Sequence, residues 1–270
     1  MLETGNNNMT SEKLGRLLIR VGNDSLAFAH KNEDGSFAYT TYATKRGISM
    51  AANLKEALKD EELHIGMWKK VFVLIDSPVI MIPIDEYNEQ NKESLYRHSV
   101  TGQENSSVLA TILPSVNTVA LYSLNKDLRT VLTDNFSDIK IHPVCASVWQ
   151  YLQRRSLRGE KEKLYCYFHD GKLEVCSFRK NRFRFANAFA VSHAKDITYF
   201  ILSVWQQLGM NTKTDEIYLL GNFPDYEGTT DELHKFTEAV YKINASADFN
   251  RHALTQRKDV PFDIITTLLK

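Results

Sequence analysis

The chain has 270 residues, 43% hydrophobic and 24% charged, and its 33 basic side chains balance 33 acidic ones. A chain of this length buries roughly three-quarters of its unfolded surface, so a core forms without disulfide or metal staples. The neutral balance argues against a nucleic-acid binder, which relies on surplus Lys and Arg to displace counterions, and no window reaches the ~20 apolar residues of a membrane span.

In chain order, residues 1–15, "MLETGNNNMTSEKLG", are polar, lack a signal-peptide core and read as a flexible N-terminus. A cytoplasmic location is expected. Residues 16–44, "RLLIRVGNDSLAFAHKNEDGSFAYTTYAT", read as three antiparallel strands, with turns at Gly22-Asn23-Asp24 and Asn32-Glu33-Asp34-Gly35. Ala51, Leu54 and Leu58 recur at helical spacing, and the apolar run "KVFVLID" at 70–76 follows. Residues 86–98 are polar and helical in pattern, and "VLATIL" and "VNTVALYSL" form a strand pair joined through Pro114. Asn125–Phe136 reads as a helix, Ile139–His142 as a strand, and Ala146–Leu152 as the start of another helix. The charged stretch "QRRSLRGEKEK" marks a boundary, giving a first lobe at 16–157 and a second at 158–270.

The second lobe repeats the order of the first. Residues 162–191, "EKLYCYFHDGKLEVCSFRKNRFRFANAFAV", again give three strands, with turns at Asp170-Gly171 and Lys180-Asn181. Ile197, Ile201, Val204 and Leu208 then mark a helix, with Asp196 in its first turn and Gly209 as its stop. "EIYLLGN" at 216–222 supplies the next strand. Val71 aligns with Ile217 and Leu26 with Leu173, offsets of 146 and 147 residues, so the pattern is an internal duplication. Cys145, Cys166 and Cys176 form no C-x-x-C motif and read as core residues. The aromatic residues crowding the second half, among them Trp149, Tyr165, Tyr199 and Trp205, fall mostly at core periodicity.

Three antiparallel strands, a helix and a parallel strand, occurring twice, resemble the actin-like ATPase (ribonuclease H-like) superfamily. The fold class implied is α/β, with two mixed-sheet lobes flanking a cleft. The nearest likeness is to pilus-assembly members and uncharacterised bacterial proteins of that fold. The resemblance spans residues 16 to about 260 in element order. It implies ATP and magnesium in the cleft, with backbone N–H groups of two turns around the phosphates and carboxylates beside them holding the metal.

Against that expectation, Arg20-Val21-Gly22-Asn23-Asp24-Ser25 keeps the glycine and hydroxyl but puts Arg20 where the family has its cation-associated carboxylate. Arginine neither ligates magnesium nor loses its proton. Asp24 offers a carboxylate across the turn. Arg20 itself reads first as a solvent-facing strand residue, and second as a contact to phosphate or to an acid. Asp170-Gly171 in the second turn is a two-residue hairpin signal, or else a shortened phosphate loop with Asp170 on metal and Lys172 on phosphate. In the third motif Gly221 stands where two glycines are usual, followed by Asn222. Asp76 reads as turn chemistry in Asp-Ser-Pro, with a cleft-facing role as the alternative. His142 and His169 read as surface residues. No Walker A, dinucleotide-binding, nucleophile-elbow or H-E-x-x-H motif is present.

Two functions follow. One is a non-catalytic scaffold or assembly partner of actin-like fold with a vestigial nucleotide site, no cofactor, a protein partner and compatibility with a homo-oligomer. The other is an ATP-binding ATPase or small-molecule kinase with unusual loops. There Asp24, Asp170 or Asp76 would carry magnesium, and Gly171 and Gly221 would give the close backbone approach.

Overall fold

A computed structural model describes residues 14–63, 67–157, 159–179 and 182–269. The expected N-terminal tail lies outside these residues except for Leu14 and Gly15, as does the turn at 180–181. The first half runs β1 (Leu14–Val21), β2 (Leu26–Lys31), β3 (Phe37–Tyr42), α1 (Met50–Ala57) and β4 (Trp68–Ile75). There follow β5 (Val79–Pro83), α2 (Lys92–Ser99), β6 (Ser106–Leu113), β7 (Thr118–Asn125), α3 (Lys126–Asn135), β8 (Ile139–Pro143) and α4 (Cys145–Ser156). The second half runs β9 (Lys163–His169), β10 (Lys172–Arg179), β11 (Arg182–Ala190), α5 (Ala194–Gln207) and β12 (Glu216–Gly221). It closes with α6 (Tyr226–His234), β13 (Val240–Lys242), α7 (Ala245–Asp248), α8 (Ala253–Gln256) and α9 (Phe262–Leu268).

The two main sheets have the same order, β3-β2-β1-β4-β8 and β11-β10-β9-β12-β13. In each, the first strand pairs antiparallel with the second and parallel with the strand after the helix: Leu17 opposite Val71, and Leu164 opposite Ile217. A third sheet, β5-β7-β6, is inserted between β4 and β8 and is covered by α2 through the buried Tyr96.

Local rules explain the elements. Ser49 caps α1 by accepting from the Ala52 N–H. His193 and Asp196 form a capping box on α5, and Gly209 ends it at φ 60°. Strand alternation then sorts side chains between two faces. Leu17, Ile19 and Val21 point outward onto α1 and α3, each burial stabilising by about 1.5–3 kcal/mol. Leu18 and Arg20 point inward. In the second sheet Leu164, Cys166 and Phe168 pack outward onto Ile197 and Ile201 of α5, while Tyr165 and Tyr167 point inward.

The inner faces exchange their covers. Helix α4, from the first half, packs Val148, Trp149 and Leu152 on Tyr165 and Tyr167 of the second sheet. Helix α9, from the second half, packs Ile264 and Ile265 with Leu18, Ala27 and Ala29 of the first sheet. All three cysteines are buried. Most aromatics named above are core residues, but Tyr199 is 67% exposed.

Candidate functional site

Two main-chain turns, after β1 and after β9, meet where the inner sheet faces converge. Strand alternation delivers Arg20 to this point with 3% exposure. Its Nε donates to both carboxylate oxygens of Asp263, at 2.9 and 3.0 Å. Nη2 donates to Asp170 Oδ2 at 2.6 Å, and Nη1 to Ser25 Oγ at 3.3 Å. One guanidinium thus ties β1, the β9–β10 turn and the start of α9 together. Asp263 is fully buried in the first turn of α9, where the helix dipole favours an anion. It also accepts from the Tyr167 hydroxyl at 3.0 Å. Burial opposes the charge on Arg20, but Asp263 and then Asp170 outweigh it and raise its pKa further.

A second pair runs the other way between the lobes. Lys172 Nζ of the second lobe bonds Asp76 Oδ1 of the first, whose side chain is 1% exposed. The lobes therefore trade charges: Arg20 to Asp170, and Lys172 to Asp76. His169 completes the cluster. Its Nδ1 lies 3.2 Å from Asp170 Oδ2 and its Nε2 3.1 Å from Glu174 Oε1, the latter an ion-pair contact without hydrogen-bond alignment. Burial alone would lower the His169 pKa; the bond to Asp170 and the pairing with Glu174 overcome it and push it up to about 10. Burial likewise would raise Asp170, but His169 and Arg20 hold its carboxyl well below the usual range.

The remaining sequence candidates are placed as follows. Asp170 (φ 44°) and Gly171 (φ 70°) form a two-residue turn of type I′ with Lys172 opposite His169, and that turn aims the Asp170 carboxylate at Arg20. At Gly22 a Cβ would stand 2.2 Å from Ser25 Oγ, so the missing side chain makes room for the cluster. At Gly221 (φ 94°) a Cβ would stand 2.1 Å from the Phe168 carbonyl oxygen, and that oxygen accepts the Asn222 N–H at 3.1 Å. The close approach at Gly221 is thus to β9 within the same sheet. Asn23 and Asp24 are exposed at the first turn, lining a groove of about 910 Å³ that Asp170 and Asn222 also line. Asp24 makes no ion pair among the described residues.

Three expectations are corrected. Arg20 is buried rather than solvent-facing, because β1 presents it to the space under α9, where two carboxylates await it. His169 is buried between carboxylates rather than on the surface. Asp76 faces the cleft rather than serving only its turn, because parallel β4 ends beside β1 there. His142 lies half-buried and stacked on Phe72, 5.0 Å between ring centres, away from this cluster. Asp263, Tyr167 and Glu174 were not singled out in the sequence. Glu174 could have been, since it shares a strand face with Cys176 and Phe178.

Whether magnesium suits this donor set follows from its charges. Asp76, His169 and Asp170 each place a ligand atom within 4.8 Å of the others. Magnesium demands near-octahedral oxygen ligands. Here His169 holds a proton, Asp76 faces an ammonium and Asp170 a guanidinium. The arrangement does not fit a divalent ion. One oxygen of the group, Asp76 Oδ2, is buried without a hydrogen-bond partner.

A family model described as "Protein of unknown function (DUF3822)" matches residues 4–240. The chain belongs to the DUF3822 family. No curated protein matches this DUF3822 chain. It is similar to a Bacteroides thetaiotaomicron protein "with actin-like ATPase fold and unknown function", with 26% identity and a TM-score of 0.81, over 93% of this chain and 98% of that one. It is also similar to a chain of the PilM–PilN type IV pilus biogenesis complex, with 12% identity and a TM-score of 0.54, over 86% and 89%. The DUF3822 chain therefore has the actin-like ATPase fold, as the sequence resemblance implied. Among the described residues no helix is long and apolar enough to cross a membrane.

Proposed function

We propose that the chain is a non-catalytic member of the actin-like fold, a cytoplasmic scaffold or assembly partner whose lobes are joined by charge rather than by nucleotide and metal. The observation that carries this reading is Arg20, buried between Asp170 and Asp263 at the meeting point of the two turns. Lys172 on Asp76 supports it from the other lobe. A pilus-assembly protein of this fold is held in a complex with PilN, which is consistent with a partner-binding role here.

The test is thermal melting with and without Mg-ATP, Mg-GTP and Mg-ADP. No shift is expected. A nucleotide present at 100 times its Kd would add about 2.7 kcal/mol, several degrees for a chain of this size. A second reading, an ATP-binding ATPase or kinase, is favoured by one feature: a cavity of about 780 Å³ beside Gly221 and Asn222. A shift of that size with Mg-ATP, abolished by Asp170→Ala, would establish it instead.

A further inference from the structure

At the pole opposite Arg20, the far ends of β2, β3, α4 and α9 enclose a groove of about 660 Å³. Its floor is apolar: Phe37, Phe249, Leu268 and Leu269 line it, each half-buried. The rings are held by their neighbours. Phe249 stacks on Tyr151 at 5.6 Å, and Phe37 meets the His252 ring edge-on at 5.4 Å. Such a floor is formed before anything docks, which lowers the ordering cost of binding.

The rim is positive. Lys31 and Arg154 are exposed and make no ion pair among the described residues. Asp248 is the one acid among the described residues that line the groove, and Arg155 at 2.6 Å and the Tyr151 hydroxyl occupy it. In a chain whose charges balance overall, this is a local surplus beside an apolar floor. One wall runs through Asn250 (φ 51°), which with Arg251 (φ 54°) makes two consecutive left-handed residues that are not glycine. Such backbone is disfavoured for residues with a side chain and clusters at ligand clamps.

We propose that this groove docks an acidic protein segment with an aliphatic or aromatic anchor, the anchor filling the floor and flanking carboxylates pairing with Lys31 and Arg154. The inference rests on the assembly-partner reading and adds to it the surface and the partner's chemistry. Free anions lack an anchor for the floor, and a nucleic acid relies on a surplus of Lys and Arg that this charge-balanced chain does not have, so a peptide is the occupant that uses both features. Charged rim groups set encounter and salt dependence, while the anchored side chain sets residence.

The test is a random-peptide display selection on the immobilised full chain, followed by fluorescence anisotropy with the enriched peptides. Enriched sequences are expected to combine Asp or Glu with Leu, Phe or Trp. Their affinity is expected to fall at least tenfold in Lys31→Glu/Arg154→Glu and to weaken steeply with salt. Both positions are exposed, so an unchanged Tm verifies the variant's fold. In a ¹⁵N-labelled chain the peptide is expected to shift the amides of residues 249–252 and 268–269. Selection without acidic sequences, or equal affinity for the double variant, overturns the proposal. Equal affinity would leave the assembly reading standing with another face in use. A nucleotide-driven melting shift would strike that reading alone.

Discussion

Replacing Arg20 with Met tests the cluster most directly. The change keeps the volume of the aliphatic stem and removes the guanidinium. Asp263 then loses both hydrogen bonds from Nε and keeps only the Tyr167 hydroxyl on its side chain, in a position with no exposure. Asp170 loses its 2.6 Å partner but keeps His169 and some solvent contact. Removing one member of a buried pair costs about 3–5 kcal/mol, because the other charge is left uncompensated. For a chain of this size each kcal/mol moves Tm by about 2–4 °C, so a fall of roughly 6–20 °C is expected in differential scanning calorimetry. The double variant Arg20→Met/Asp263→Leu removes the stranded charge and is expected to recover most of the loss, since apolar replacements of buried pairs are often neutral. An exposed pair would instead be worth about 0–1 kcal/mol. A single variant melting within 2 °C of the parent would refute the burial argument, as would a double variant no better than the single.

Two other predictions follow from the same region. Gly221→Ala should lower Tm by several degrees, because the new Cβ would meet the Phe168 carbonyl at 2.1 Å on a backbone already at φ 94°; an unchanged melting curve would show that β12 can shift freely. The pH dependence has a definite sign. The His169 pKa is raised from 6.5 to about 10, so its stabilisation is complete below pH 6.5 and is lost as pH rises through 10. That of Asp170, lowered from 3.8, is present above pH 3.8 and is lost in stronger acid. Melting scans from pH 6 to 10 should therefore fall more steeply for the parent than for His169→Gln, and parallel slopes would count against the assignment.

Much of the architecture was legible because duplication repeats a pattern. The strand–turn–strand rhythm of residues 16–44 and 162–191 and the constant offset pointed to paired sheets. The inserted sheet was half visible: β6 and β7 stood out as apolar runs joined through Pro114, but β5 hides in "DSPVIMIP", where prolines mask a short edge strand. The covers of the inner faces were not legible, since α4 and α9 each pack against the sheet of the other half and periodicity does not name a helix's neighbour. The same limit applied at the site. An arginine on an alternating strand looks the same whether it meets water or two carboxylates, and Asp263, just after Pro261, reads as an ordinary acid at a helix start. Only the third dimension, in which residues 20, 170 and 263 converge, distinguishes the cases.

The exchange of α4 and α9 between the halves also shapes how the chain is made. The first sheet's inner surface stays bare until Leu254, Val260, Ile264 and Ile265 leave the ribosome. At about 5–20 residues per second, the 241 residues added from Gly22 through Phe262 keep it waiting for ~12–50 s. Neither half, synthesised alone, has the helix that seals its own sheet. Nascent chains should accordingly need shielding late in translation, and truncation before α9 should yield aggregation rather than a stable lobe.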